Sequence, residues 1–555
     1  TLNNKIFGGT LDNTELPRKG PADLSLTFIS PIYKTPQPYR LYLPSTYDSS
    51  KPFPLLIVLH GTGGNQNKYF DHPEYASGIY KQEAEKKGII LLSPYGNDSL
   101  DRPTEWRGTG EIHVLKVIEE VCKNFNIDRD RIILSGQSMG GTGTTYLCCR
   151  YPDLFAGGIP LASTYGHLSL VINLKHTPMF YVHGEKDWHI YAQTGPIPII
   201  EEMKRLGYNG TLWMIPDVGH NTMHISTERV IDWALQQKRV AHPTHIIHRA
   251  YFPPHGRAWW IEIVSVEQPG WYGEVDARIE QDNSIKVTCK NVAELIIRPD
   301  PELLPLDKPI SVEINNTQIY NGKCSPNQQI LLQYKDGKWR AFVEPRVIRD
   351  RIELLQKFFI AKIGDPAPTW EPTPETTLGN YLTDAMREIS GADIAICTKG
   401  HYQYGGHLRG NQPKPNQNLY LIDLIDWIRP LDCALCTFNL KGKELLEIIE
   451  LNICDKPEEE RFLVQVSGCR YTFDRSLPFG ARVVDTDIQP ERNYQIVCNV
   501  ADITRTDTLH LGRFYGKLEY KLLEPNILST IWFYASKNGG VITSRLENRV
   551  SELNH

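Results

Sequence analysis

Short apolar runs alternate with longer stretches of mixed polarity from about Asp23 to Lys238. Leu55-Leu56-Ile57-Val58-Leu59, Ile89 to Leu92, Ile132 to Leu134, Phe180 to Val182 and Leu212 to Ile215 are near-continuous in apolar character and predict buried strands. Between them the spacing turns helical. Over Val114 to Phe125, Leu115, Ile118, Val121 and Cys122 fall on one face. Apolar strands alternating with amphipathic helices predict a mostly parallel sheet covered on both faces. From about His245 to Phe342 the helical spacing disappears. Trp259 to Ile263 and Ile285 to Thr288 read as strands, with Asn321-Gly322 and Asp336-Gly337 as turn dipeptides, which predicts a small β-sandwich. Helices and strands mix again from Val347 to Leu553. There, proline-rich Asp365 to Pro374 predicts extended chain, and Thr377 is placed to cap a helix over Leu378 to Ser390. The expected division is 1–242 for the α/β segment, 243–345 for the sandwich and 346–555 for an α+β segment.

Composition narrows the class. A chain of 555 residues is too long for one core, and a net charge of -5 gives no electrostatic case for nucleic acid. No apolar run approaches the roughly 20 residues of a membrane-spanning helix. Thr1 to Gly20 lack a signal-type apolar core and position 1 is not Met, which reads as a mature or trimmed product. The 11 cysteines are odd in number and scattered, unlike a disulfide scaffold. Cys148 and Cys149 read as buried small hydrophobes. Cys433-Ala434-Leu435-Cys436 has no second pair nearby, so structural thiols are the expectation there rather than a metal or redox site. Trp259, Trp260 and Trp271 could form a sugar-stacking surface, but packing of a small sandwich is the reading adopted.

Chemistry enters at Gly136-Gln137-Ser138-Met139-Gly140, a G-x-S-x-G between a strand and the helix read over Thr142 to Cys149. A strand-to-helix turn at this place thrusts the serine hydroxyl above the sheet, and any Cβ on the flanking glycines would collide with neighbouring chain. A serine hydroxyl needs a histidine to take its proton and a carboxylate to orient that histidine. In this topology the order is serine, acid, histidine, each past a later strand. Asp187 follows the strand ending at His183-Gly184, and His220 follows the strand ending at Ile215. Asp187 and His220 are therefore the candidates, with Glu185, Asp217, His189 and His224 as competitors. The oxyanion needs two backbone donors. Met139 supplies one, and Thr62, in the turn His60-Gly61-Thr62-Gly63-Gly64, is the choice for the other. A phosphate loop is excluded at that turn by the missing Lys and Ser/Thr. No cofactor and no metal are expected.

These motifs resemble the α/β-hydrolase fold. Tyr39 to Pro44, His60-Gly61, Ser93 to Gly96, Asp128 to Arg131 and Gly136 to Gly140 resemble the polyhydroxybutyrate depolymerase and feruloyl esterase group within it. The resemblance covers about 240 residues and implies a carboxylic-ester hydrolase acting on a small-molecule or polysaccharide-linked ester. Prolyl-oligopeptidase-like sequences belong to the same group, so a serine peptidase is the alternative.

Glu375 to Asn380, Thr383 to Arg387, Gly391 to Ala395, Leu440 to Leu445 and Val466 to Asp474 resemble the C-terminal domain of 5'-nucleotidases. In that family this domain grips the nucleoside between two aromatic rings while a separate metal domain hydrolyses it. Here the metal motifs are missing; Asp187-Trp188-His189 falls in the triad loop. Leu431 and Thr506 to Leu509 stand where the rings belong. Stacking contributes roughly 1–3 kcal/mol per base, so a structural or substrate-shaping module is expected. Arg409, in Gly405-Gly406-His407-Leu408-Arg409, keeps the possibility of an anion contact, and a nucleotide-binding scaffold is the third reading. Both resemblances imply an exported protein, secreted or periplasmic. Specificity is assigned to loops such as Asp98 to Trp106.

Overall fold

The computed structural model describes residues 16–71, 78–98, 103–164, 168–187, 192, 195–369, 373–398, 414–428, 434–455, 463–504 and 518–553. These fall into two compact units. The first runs through Glu267 and resumes over Gly273–Leu354; the second comprises Gln268–Tyr272 and the chain from Leu355.

The first unit is built on an eight-stranded sheet of β1 (Ala22–Ile29), β2 (Pro36–Leu43), β3 (Phe53–Leu59), β4 (Ile90–Pro94), β5 (Ile127–Gln137), β6 (Gly157–Leu161), β7 (Met179–Gly184) and β8 (Gly210–Ile215). Its spatial order is β1-β2-β4-β3-β5-β6-β7-β8. β2 runs antiparallel to both its neighbours, and the pairs from β4 to β8 are parallel. This is the α/β-hydrolase arrangement. Leu55 to Leu59, Ile133, Leu134, Ile159 and Leu161 are all buried, as continuous apolar strands under two helical layers must be. Asp128 to Arg131 lie inside β5 rather than before it. They bulge, because the β3 partners step only from Phe53 to Leu55 while β5 advances from Ile127 to Ile132.

The helices include α1 (Ile79–Lys87), α2 (Thr109–Asn124), α3 (Met139–Arg150), α4 (Pro196–Arg205) and α5 (Met223–Gln236). Two differ from the periodicity. α2 begins five residues before Val114 because its first turn buries the polar Thr109, Glu111 and His113, which the apolar spacing does not register. α3 starts at Met139, directly after the serine, and carries its glycines inside the helix.

The sandwich pairs two five-stranded sheets. Ile261, Ile263, Leu295, Ile297, Ile330 and Leu332 from one share a core with Ile246, Val275, Ala277, Ile285 and Val287 from the other. Trp260 is buried and donates its Nε1–H to the Pro243 carbonyl at 2.8 Å, and Trp259 does the same to Val240 at 2.8 Å. Trp271 instead meets Phe533 in the second unit. Trp259 and Trp260 thus pack in the sandwich as expected, whereas Trp271 packs within the second unit.

Within the first unit the sandwich is joined to the hydrolase sheet by buried charge. Glu111 of α2, fully buried, lies 2.8 Å from His255 Nε2 and accepts from Tyr151 at 2.6 Å and Tyr146 at 3.0 Å. Burial alone pushes the Glu111 carboxyl up. The charge and hydrogen bond of His255, with Arg150 and Tyr151, outweigh it and hold the carboxyl below its usual range. Arg351 reaches both oxygens of Asp153 at 2.7 Å.

The second unit is α+β. Its central sheet orders Val464–Ser467, Ile394–Thr398, Asn493–Asn499, Ala434–Lys441 and Lys521–Asn526, flanked by two three-stranded sheets. Helix α6 (Thr377–Ser390) packs on it, and its cap is Thr376, not Thr377. Thr376 has extended backbone and accepts from the Gly379 N–H at 2.9 Å, while the Thr377 hydroxyl donates to the Thr369 carbonyl at 3.1 Å. Cys436 faces Cys498 across paired strands, both buried; Cys433 lies outside the described residues. No helix among the described residues is long and apolar enough to cross a membrane.

Two stability outcomes follow. His255→Ala, by leaving Glu111 without its main partner, should cost the first unit about 3–5 kcal/mol, seen as an earlier thermal transition. Because the Glu111 carboxyl is depressed in the fold, its contribution is full above the unfolded glutamate value of about 4.3 and is lost as pH falls through the lower folded value. The wild-type advantage over Glu111→Gln should therefore shrink on acidification below about pH 4. Thr376→Ala should cost the second unit about 1 kcal/mol by denaturant titration, whereas loss of the cap from Thr377→Ala is not expected.

Candidate active site

β5 ends at Gln137 and α3 begins at Met139, so a single residue makes the turn. Ser138 has φ 57° and ψ -119°, a left-handed conformation that costs a non-glycine residue roughly 1–3 kcal/mol. Its N–H donates to the Leu161 carbonyl at 2.9 Å and its carbonyl accepts the Thr142 N–H at 3.0 Å, which hold the turn from both sides. A Cβ on Gly136 would meet the Gly140 carbonyl oxygen at 2.5 Å, and one on Gly140 would meet the Leu59 carbonyl oxygen at 2.0 Å. Backbone occupies both positions, as expected for the motif. Ser138 is half-buried between the buried Gln137 and Met139.

The acid and the imidazole come from the next two loops. After β7, the Asp187 N–H closes a turn onto the Gly184 carbonyl at 3.1 Å. Lys186 N–H reaches Val218 at 2.8 Å and Glu185 N–H reaches Ile215 at 3.0 Å, zipping this loop to the one after β8. His220 Nδ1 sits 2.9 and 3.0 Å from the two Asp187 oxygens, and the Asp187 side chain is 1% exposed against 29% for His220. An ionised carboxylate only accepts, so Nδ1 carries a hydrogen, and in the neutral ring Nε2 carries the lone pair. The competing acids are disposed otherwise. Asp217 is 81% exposed and paired to Lys186 at 2.8 Å, and Glu185 accepts the Asp217 N–H at 3.2 Å. His224 is exposed on α5. Trp188 and His189 lie outside the described residues.

Three groups escaped the motif reading. Gln137, the variable residue of the G-x-S-x-G, donates its side-chain N–H to the His220 carbonyl at 2.8 Å and ties the histidine loop to the residue before the serine. His183, buried at the end of β7, brings Nε2 to 3.4 Å from Asp187 Oδ2. Burial lowers its pKa, opposed by Asp187 and aided by His220, so a neutral imidazole stands beside the carboxylate. His60, buried after β3, is the third. His183 falls in a strand-end H-G-x-x-D and His60 in an H-G turn, so a signal existed for both.

Past β3, Gly61 lies against the serine: a Cβ there would be 3.3 Å from Ser138 Cβ and 3.9 Å from Oγ. The Gly61 carbonyl accepts the Gly64 N–H at 3.0 Å, closing the turn that carries Thr62. Met139 is the first helical residue, so its N–H has no intrahelical acceptor. Of the loop Asp98 to Trp106, residues 99–102 lie outside the described ones, and its far end is a core wedge. Trp106 is fully buried, donates Nε1–H to the His60 carbonyl at 3.0 Å, and would sit 2.4 Å from a Cβ on Gly96. The described residues contain no cluster of three or more His, Cys, Asp or Glu able to hold a metal. Arg409 with its Gly405-Gly406 corner, Leu431 and Thr506 to Leu509 lie outside the described residues.

Residues 30–261 match the family model described as "Putative esterase", and residues 361–501 match that of the 5'-nucleotidase C-terminal domain. An acetylxylan esterase of Coprinopsis cinerea is 30% identical over 138 residues, covering 23% of this chain and 34% of that protein. The trifunctional nucleotide phosphoesterase YfkN of Bacillus subtilis is 24% identical over 201 residues, 33% of this chain and 13% of that protein. The bifunctional acetylxylan esterase/xylanase XynS20E of Neocallimastix patriciarum is 26% identical over 157 residues, 27% and 21% respectively. The chain thus spans about a third or less of these relatives' own length. It joins a segment matching the esterase family to one matching the 5'-nucleotidase C-terminal domain, as its motifs indicated.

Gly140→Ala should break the turn at Ser138, because the new methyl meets a backbone carbonyl that no rotamer can clear. The expected outcome is a lowered thermal midpoint together with loss of any Ser138-dependent turnover.

Proposed function

We propose that this chain is a serine carboxylesterase working through an acyl-enzyme. The observation that carries the reading is His220 Nδ1 on the buried Asp187 carboxylate, 2.9 and 3.0 Å from its oxygens, in a loop bonded to the residue before the strained Ser138. In this reading Ser138 Oγ attacks the ester carbonyl as His220 Nε2 takes its proton. Asp187 stays ionised, fixes the tautomer and stabilises the imidazolium. The Met139 and Thr62 N–H groups hold the oxyanion. His220 then returns the proton to the departing alcohol, and water repeats the sequence to release the acid.

The proposed substrate is a small acyl or hydroxycinnamoyl ester on a sugar polymer. Two supports bear on it: the acetylxylan esterase relatives, and a cavity of about 670 Å³ beside Gly63 and Gly64. Gln37, Asn65, Gln66, Tyr95, Asn97 and Asp98 line the cavity. Amides and an aromatic ring suit a neutral, hydroxyl-rich alcohol better than an anion. An exported enzyme would meet such a polymer. The division into 1–242, 243–345 and 346–555, with the last as a structural or substrate-shaping module, belongs to the same proposal.

Ser138→Ala should remove turnover of nitrophenyl acetate and of acetylated xylo-oligosaccharides while the melting curve is kept. Asp187→Asn should lower kcat by several orders of magnitude, about 10⁴-fold where a triad aspartate is exchanged in this way, and Asp217→Asn should stay near wild type. Equal turnover by wild type and Ser138→Ala would refute the proposal, as would faster cleavage of a peptide panel than of any ester.

A further inference from the structure

We infer that His60 is a positioning residue that aims the Thr62 N–H at the developing oxyanion. The inference rests on the esterase reading above and adds to it the group that sets one of its two donors.

The argument starts from the tautomer. The Gly96 N–H points at His60 Nε2 from 2.9 Å, and a backbone N–H can only donate. Nε2 is therefore the acceptor, the neutral ring carries its hydrogen on Nδ1, and Nδ1–H donates to the Gly61 carbonyl at 2.9 Å. That carbonyl also accepts the Gly64 N–H at 3.0 Å. Gly61 C=O and Thr62 N–H belong to one peptide plane, and in a trans peptide they point in opposite directions. Two donors anchoring the oxygen on one side fix the N–H on the other. Gly61 is the residue through which this plane meets the nucleophile, since its own Cβ position is 3.9 Å from Ser138 Oγ. Without the anchors, the Gly61–Thr62 peptide would turn more freely, because Gly61 has no Cβ to restrict it and Thr62 is exposed.

The ring itself has no room to turn. His60 is fully buried, edge-on to Trp106 with centroids 5.0 Å apart, and its backbone carbonyl takes the Trp106 Nε1–H at 3.0 Å. β3, the loop after β4 and the buried Trp106 therefore meet on one imidazole, which passes their rigidity to the turn. A preorganised donor is useful in catalysis because it needs no reorientation when charge appears on the substrate.

The two ring nitrogens can be separated by substitution. An Asn side chain places an amide where Nδ1 stands and keeps a donor for Gly61; a Gln amide reaches toward the Nε2 position and keeps the Gly96 contact while abandoning Gly61. Wild type, His60→Asn and His60→Gln are compared on nitrophenyl acetate, with Ser138→Ala as the blank and thermal midpoints alongside. The expected result is His60→Asn within about threefold of wild type, and His60→Gln lower in kcat by about 30-fold or more at unchanged KM, approaching the 10²–10³ of a deleted oxyanion donor. Inhibition by a trifluoromethyl ketone, whose adduct carries the oxyanion, should weaken in His60→Gln by the same factor. Equal losses in both variants tracking their melting points would overturn the inference by making His60 merely structural, as would full kcat in His60→Gln. A wild-type chain with no Ser138-dependent turnover would remove the esterase reading itself, and the inference with it, in an arm read before either variant.

Discussion

The backbone at Ser138 is the constraint from which the site follows. A residue held at φ 57° persists only where its surroundings over-determine it. Here the end of β3 does so. Its Leu59 carbonyl lies where a Cβ of Gly140 would be, and its Leu59 side chain crowds the place a Cβ of Gly136 would take. The next residues of the same strand end, His60 and Gly61, form the turn that lies against the serine. One strand terminus therefore bends the Ser138 backbone and delivers the proposed oxyanion donor, so the two are held in mutual register without any long lever between them.

The same economy appears at the other edge. The loops after β7 and β8 are joined by backbone hydrogen bonds from Glu185 and Lys186, so Asp187 and His220 are set by sheet geometry more than by side-chain choice. Gln137 then links the His220 loop back to the elbow. Farther out, Glu111 with His255 ties the sandwich to the sheet, and Asp153 pairs with Arg351 just beyond the sandwich's last strand.

The fold was legible where the chain obeys simple periods. Continuous apolar runs gave five parallel strands, and glycines around Ser138 gave the elbow, because both patterns have a single steric cause. Helix α2 starts before its apolar periodicity does, because Glu111 and His113 are polar yet buried, which no hydropathy pattern reveals. The cap of α6 falls one residue before the Thr377 that the sequence points to, since Thr376 and Thr377 are chemically equal and the extended backbone at Thr376 separates them. Of the site, Asp187 and His220 could be named from strand order, and Asp217 could be set aside only when its exposure and its Lys186 partner were visible. Gln137 and His183 act through contacts between loops distant in sequence, so their neighbours had to be seen before either could be given a role.

The most direct test of the central claim is covalent labelling with a fluorophosphonate, read by intact mass and peptide mapping. The account predicts one phosphonyl group per chain, on Ser138, with labelling abolished in Ser138→Ala and strongly slowed in His220→Ala. A chain that takes up no label, or takes it up equally well with Ser138 replaced, would contradict it.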